Sequence, residues 1–342
     1  MGGNSYSSNF KDLEDKTLLA NGQPSFDLQF EEIAKTLLRT NLDYAPLNMP
    51  SPVSIFVAAT EDQMLAVKVL EYSIRKHASL NVKVTPLHQC GINIPTPQDS
   101  KNLPRTPFSF QRFLIPEIVG YVGRAIYLDS DMQVFQDIRK LWTLPLNDVQ
   151  LMAVGDTGNQ RRPQFSVMLL DCAALQWNIR DIVSNLDRQT YSYEDLMQRM
   201  VVAEQISGDI PSCWNSLERF DAKQTALLHY TDMTTQPWVS RDNPNGYLWV
   251  RDLIEATENG FIDKALVEQH ISLGHVRPSL EYQIEHRRED ALLLPRRVRE
   301  LDESFTPPYQ RMPSYNARHD RPARWHKRVR RWIQAYARAA KN

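Results

Sequence analysis

Arg124-Ala125-Ile126-Tyr127-Leu128-Asp129-Ser130-Asp131-Met132 decides the fold. The apolar run Ala125 to Leu128 breaks off in two carboxylates one residue apart. A short apolar run with Ile and Tyr, ended by a sharp polarity switch, predicts a buried strand reaching the edge of its sheet. Ligands of open α/β sheets bind outside the carboxyl ends of the strands. Two carboxylates at that edge suit a hard divalent cation, which keeps open positions for substrate phosphates. The plainer alternative is one solvated loop acid and one helix N-cap.

Working outward, Val53 to Ala59 predicts a first buried strand, and Thr60-Glu61-Asp62 a loop that starts a helix marked by Val67, Leu70 and Ile74. Asn81 to Leu87 predicts a second strand, Ile94 to Pro107 a long Pro-rich loop, and Ser109 to Ile118 a short helix feeding the carboxylate strand. Further strands are expected at Gln150 to Val154, Phe165 to Leu170 and Thr225 to Tyr230. Strands alternating with helices predict an α/β fold, a mostly parallel, doubly wound Rossmann-like sheet. Residues 1–50 read as a polar N-terminus followed by an amphipathic helix, Ser25 to Arg39; residues 51–249 form the sheet domain, and 250–342 a helical, basic C-terminal appendage.

With 342 residues, 42% hydrophobic and 24% charged, the chain has the composition of a globular protein. A formal net charge of −1 carries no overall field for nucleic acid, which is not expected as a partner. The cysteines Cys90, Cys172 and Cys213 are odd in number and lack CxxC spacing, so buried thiols are expected rather than disulfides or a zinc site. No signal peptide opens the sequence and no apolar run is of spanning length, which makes the cytoplasm the expected location.

Phe110-Gln111-Arg112-Phe113-Leu114-Ile115-Pro116, then Gly123 to Asp131, then Asp137-Ile138 and Leu141-Trp142, resemble family 8 of the retaining glycosyltransferases, the family of glycogenin and the bacterial lipopolysaccharide galactosyl- and glucosyltransferases. The likeness spans roughly Val53 to Trp238. It implies a single GT-A catalytic domain that uses Mn²⁺ or Mg²⁺ and moves a hexose-type sugar from a nucleotide sugar, with UDP as the expected carrier, keeping the anomeric configuration. The acceptor, whether carbohydrate, lipid-linked or a small molecule, is not named by it.

The resemblance also implies roles. Asp131 and Asp129 are metal ligands, Asp129 with a second role at the ribose, and His229, ahead of Pro237-Trp238, is the third ligand. Arg112 reaches the donor, and Ala59, Thr60, Asp62, Ser130 and Gln236 complete the nucleotide-sugar contacts. Asp156 lies near the donor sugar. Glu204-Gln205 stands in for the family's pair beneath the sugar, with Gln205 orienting it through its amide, and Trp214 would stack on a sugar face. A cation bridging the diphosphate stabilises the charge that develops on the leaving group.

Three departures suggest a divergent subgroup. Gln236 replaces the family lysine and lies one position further from His229, so it brings no charge to the departing diphosphate. Met64 replaces a tyrosine expected against the base, and Gln164-Phe165-Ser166 replaces an Asn-Ala/Ser-Gly element. Two other classes share some features: a haloacid-dehalogenase-type phosphatase, which prefers Thr or Val where Gln133 stands, and a non-catalytic nucleotide-sugar-binding module.

From Arg321 onward eight basic residues occur without a single acid, so removing them from the net −1 leaves −9. Trp325, Val329, Trp332, Ile333 and Tyr336 recur at helical spacing. Such a helix either lies on anionic lipid at the inner membrane face, a peripheral contact through 321–342, or docks its apolar stripe on the catalytic domain.

Overall fold

The computed structural model describes residues 51–155 and 164–311. The expected helices at Ser25–Arg39 and 321–342 lie outside the described residues, as does Asp156. The first strand, β1 (Val53–Ala58), runs into a helix at Met64–His77, and β2 (Val82–Pro86) follows. A 3₁₀ turn and a short helix over Gln111–Ile118 lead to β3 (Arg124–Asp129). Next come β4 (Met132–Val134), β5 (Leu151–Val154), β6 (Gln164–Asp171), β7 (Ile206–Ser207), β8 (Ser216–Leu217) and β9 (Leu227–His229).

Six strands form the central sheet in the order β2-β1-β3-β6-β5-β7. β1 pairs parallel with β2 and β3, β6 runs antiparallel to β3 and β5, and β7 is parallel to β5. Only β6 therefore opposes the common direction, and the α/β class with a mostly parallel sheet holds. The alternation of side chains explains why the strands read as continuous apolar runs. Phe56, Ala125, Tyr127, Met168, Leu170, Leu151 and Ala153 pack into one core with Phe110 and Phe113. Their neighbours Ile55, Val57, Ile126, Leu128, Val167, Leu169 and Met152 pack into another, against Met64, Val67, Leu70 and Ile74. A sheet covered on both faces needs no polar side, hence the unbroken runs.

The second sheet, β4-β9-β8, has no counterpart in the sequence reading, apart from β9, which was expected within Thr225 to Tyr230. Its strands span only two or three residues, too short for any periodicity to show. The chain passes from β3 to β4 through only two residues, Ser130 and Asp131, so Asp129 ends one sheet and Asp131 borders the other.

Beyond Trp249 the chain is helical as expected, at Gly246–Glu258, Lys264–Ser272, Ser279–Glu285 and Arg296–Leu301. The boundary expected after Trp249 falls inside the first of these helices. That helix is not peripheral: Trp249, Val250, Leu253 and Ile254 join Leu65, Val69, Tyr230 and Trp238 in a third core. A buried polar link supports it, in which Gln133 donates to Asp252 and accepts from the Tyr230 hydroxyl at 2.7 Å, while Lys76 pairs with Asp252 at 3.0 Å. Of the cysteines only Cys172 is fully buried, and burial pushes its thiol up to about 12; Cys90 and Cys213 are half-buried. No helix among the described residues is long and apolar enough to cross a membrane.

Candidate functional site

The two sheets meet where the carboxylates stand. Pairing of Met132 with His229 across β4 and β9 sets the imidazole beside Asp131, and the Tyr230 N–H donates to the Asp131 carbonyl at 2.8 Å. Asp129, Asp131 and His229 offer three ligand atoms that all lie within 4.8 Å of one another. His229 Nε2 is 3.0 Å from Asp131 Oδ1. That oxygen is buried yet accepts no well-aligned hydrogen bond. Two groups so close but out of hydrogen-bonding alignment are placed like ligands facing a shared third atom. Two hard oxygens and one imidazole nitrogen fit Mn²⁺ or Mg²⁺ with positions to spare.

Neighbouring side chains hold each candidate ligand. His229 Nδ1 lies 3.0 Å from Asn215 Oδ1, and Asn215 Nδ2 donates to Ser166 Oγ at 3.0 Å. An amide oxygen only accepts, so Nδ1 carries the proton and Nε2 presents its lone pair to the acids. Asp129 Oδ1 accepts from the Tyr127 hydroxyl at 2.5 Å and has the Arg112 guanidinium 3.7 Å away. Gln236 Nε2 donates to Asp131 Oδ2 at 2.9 Å and to the Tyr230 carbonyl at 3.1 Å. The residue expected to touch the donor thus steadies a carboxylate.

Electrostatics follow from this burial. Removal from water raises the Asp129 carboxyl and Asp131 adds to the rise, against the pull of Arg112. Burial alone would lower His229, but Asp131, with Asp129 and Glu218, outweighs it and raises the imidazole above its ordinary value. A proton and a divalent cation would compete for the same charge-rich spot.

Asp129, Asp131 and His229 line a cleft of about 660 Å³ together with Thr60, Asp62, Arg112 and Gln236. Seven of the expected site residues therefore converge. Thr60 and Asp62 are hydrogen-bonded to each other at the entry to the Met64–His77 helix, where Thr60 also forms a capping box with Gln63. Arg112 is only 7% exposed, with Nε donating to the Ser109 carbonyl at 3.2 Å and Nη1 to the Phe165 carbonyl at 2.8 Å. It lines the cleft chiefly as a brace for Asp129, since Nε and Nη1 are tied to backbone carbonyls and Nη2 faces that carboxylate.

Other expectations are corrected. Ala59 is fully buried, and its N–H and C=O are both taken by the Gln111 amide, at 3.0 and 2.9 Å, so it shapes the first loop without reaching the cleft. Ser130 is likewise buried, 1% exposed, in the crossing between the sheets. Glu204 and Gln205 are exposed and precede β7. Because β7 runs with β5, and β5 with β3, residues before β7 stand at the edge opposite Asp129; Gly208 and Asp209, which follow it, stand at the site edge. Trp214 packs in the core rather than offering a face to a sugar, and Met64 is buried there too. The sequence reading also missed Asn215, and it missed His275, Pro308, Tyr309 and Arg311, which the C-terminal segment brings to the cleft.

Residues 96–216 match the model of glycosyl transferase family 8. That stretch contains Arg112, both carboxylates and Asn215, while His229 and Gln236 lie beyond it. The chain is 26% identical over 230 residues to Protein CDI of Arabidopsis thaliana, covering 60% of this chain and 87% of that one. Among solved structures it is similar to the apo form of the bifunctional glycosyltransferase WbbM, with a TM-score of 0.47 and 14% identity over 60% of this chain. The match spans half the length of WbbM. It is also similar to the galactosyltransferase LgtC in complex with donor and acceptor sugar analogues, at a TM-score of 0.43 and 16% identity, over 58% of this chain and 95% of that one.

Proposed function

From a chain that carries a family 8 glycosyltransferase domain, we propose a metal-dependent retaining enzyme that moves a hexose-type sugar from a nucleoside-diphosphate sugar, with uridine the expected base, to an acceptor hydroxyl. The observation that supports this most is the convergence of Asp129, Asp131 and His229 on one cleft wall, with Asp131 Oδ1 buried 3.0 Å from His229 Nε2 yet accepting no well-aligned hydrogen bond. When bound there, a divalent cation would neutralise charge on the departing diphosphate.

The chain's own groups prepare that event. Asn215 fixes the His229 tautomer, Tyr127 and Arg112 fix Asp129, and Gln236 fixes Asp131. Thr60 and Asp62, at the carboxyl end of β1, are the hydroxyl and carboxylate suited to ribose and base edges. Asp156, which lies outside the described residues, keeps its proposed place near the donor sugar. The acceptor is a carbohydrate, a lipid-linked sugar or a small molecule; the cytoplasm is the proposed location, with contact at the inner membrane face through 321–342.

Calorimetric titration of a nucleotide-sugar panel, with and without Mn²⁺, tests the reading. One nucleotide sugar should bind, and only with the metal. Absence of binding across the panel, or binding indifferent to metal, would overturn it.

A further inference from the structure

Gln236 leaves the cleft without a cation beside Asp131, because a neutral amide occupies that position and donates to the carboxylate. Charge that builds on a departing diphosphate still needs a compensating donor. Among the described residues, the arginines that line the cleft are Arg112 and Arg311. Arg112 is tied to two carbonyls and faces Asp129.

Arg311 differs on each point. It is exposed, it forms no ion pair among the described residues, and its one hydrogen bond there runs from Nη2 to the Thr306 carbonyl at 3.2 Å. Its position is nonetheless defined. The guanidinium lies against the Gly274 turn, where a Cβ would sit 2.8 Å from Nη2, and Gly274 has a φ of +66°. Glycine there serves both the turn and the close approach of the guanidinium. Thr306 below and Gly274 beside it thus hold one end of the guanidinium and leave its remaining donors for a ligand.

We propose that Arg311 is the cation for the departing nucleoside diphosphate, replacing at a distance in sequence what Gln236 does not supply; this rests on the function proposed above. In the transfer the bond from the anomeric carbon to the diphosphate oxygen breaks, and its electron pair stays on that oxygen. The acceptor hydroxyl, or water in hydrolysis, forms the new bond to carbon, and its proton passes to the departing phosphate oxygen. Arg311 donates hydrogen bonds throughout and gives up no proton, as suits a guanidinium. A fork of donors distinguishes a diphosphate, with its extra charge, from a monophosphate.

The test compares full-length protein with R311Q, R311K and G274A, by calorimetry with Mn²⁺ and UDP, GDP or ADP against the matching monophosphates. R311Q should weaken the diphosphate by about 10- to 100-fold, the size of one charge-assisted hydrogen bond, and the monophosphate by no more than about twofold. R311K should recover part of the loss. G274A, which keeps the arginine but displaces it, should show the same selective loss. Donor hydrolysis should fall in kcat alongside. Unchanged diphosphate affinity in R311Q, or equal losses for both nucleotides, would overturn the proposal while leaving the enzyme reading intact. If the unaltered protein binds none of the nucleotides, the proposed function fails and this role with it. Should R311Q melt early, R311K and G274A carry the same comparison.

Discussion

Replacing Asn215 by leucine removes the contact that orients His229 while nearly preserving volume. Asn215 is 5% exposed, and its contacts include two of 3.0 Å, to His229 Nδ1 and to Ser166 Oγ. Without them the imidazole is free to change tautomer and rotate, so Nε2 no longer faces Asp131 by default. Loss of such a supporting partner weakens metal affinity by about 10- to 100-fold, or about 1.4–2.8 kcal/mol. The unpaired Nδ1–H and Ser166 hydroxyl cost about 1–3 kcal/mol in folding, which a domain of ordinary stability survives. Mn²⁺ titration of the free protein, by calorimetry or by the spin-resonance signal of unbound metal, reads the effect without turnover. Asn215→Asp keeps the acceptor and should bind metal at least as well as the unaltered chain. Unchanged Mn²⁺ affinity in a folded leucine variant would refute the assignment of His229 as an Nε2 ligand.

Asp131→Ala should abolish metal-dependent turnover in a protein that melts normally, and His229→Ala should weaken metal binding less; nucleotide-sugar binding with unchanged metal dependence in either variant would remove that residue from the ligand set. Metal affinity should fall on acidification through the raised pKa of His229 and level off above it, because a proton on Nε2 excludes the metal. Calorimetry across pH checks this, and a flat profile would contradict it. Gly208→Ala would drive a Cβ to 2.9 Å from the Gly155 backbone, where β5 and β7 end at the site edge. It should cost about 1–3 kcal/mol in denaturant unfolding, and an unchanged midpoint would show that the two loops give way freely.

The central sheet was legible because both of its faces are buried: β1, β3, β5 and β6 are apolar runs with abrupt ends, and the carboxyl ends of the co-directional β1, β3 and β5 mark the site edge. The carboxylates of Asp129 and Asp131 were legible for the same reason, as acids directly after such a run. His229 could be read only through the Pro237-Trp238 that follows it. Glu204 and Gln205 misled because residue type and position in sequence say nothing about which end of a two-residue strand they occupy; pairing of β7 with β5 decides that. Asn215 stood beside Trp214 in plain view, yet its role depends on β6 and β9 meeting around it. The return of Pro308, Tyr309 and Arg311 to the cleft is a tertiary event: the folding of the helices after Gly246 onto the Met64–His77 helix leaves no mark in local composition.

The claim that this cleft transfers sugar with retention is tested most directly by following the anomeric proton during turnover. A nucleotide sugar identified by the binding panel is incubated with full-length protein and Mg²⁺, and proton NMR spectra are taken before the released or transferred sugar can equilibrate. An α-linked donor should give an α-configured first product, only with the metal present and not with Asp131→Ala. A β-configured first product, or turnover unaffected by removal of metal, would contradict the account.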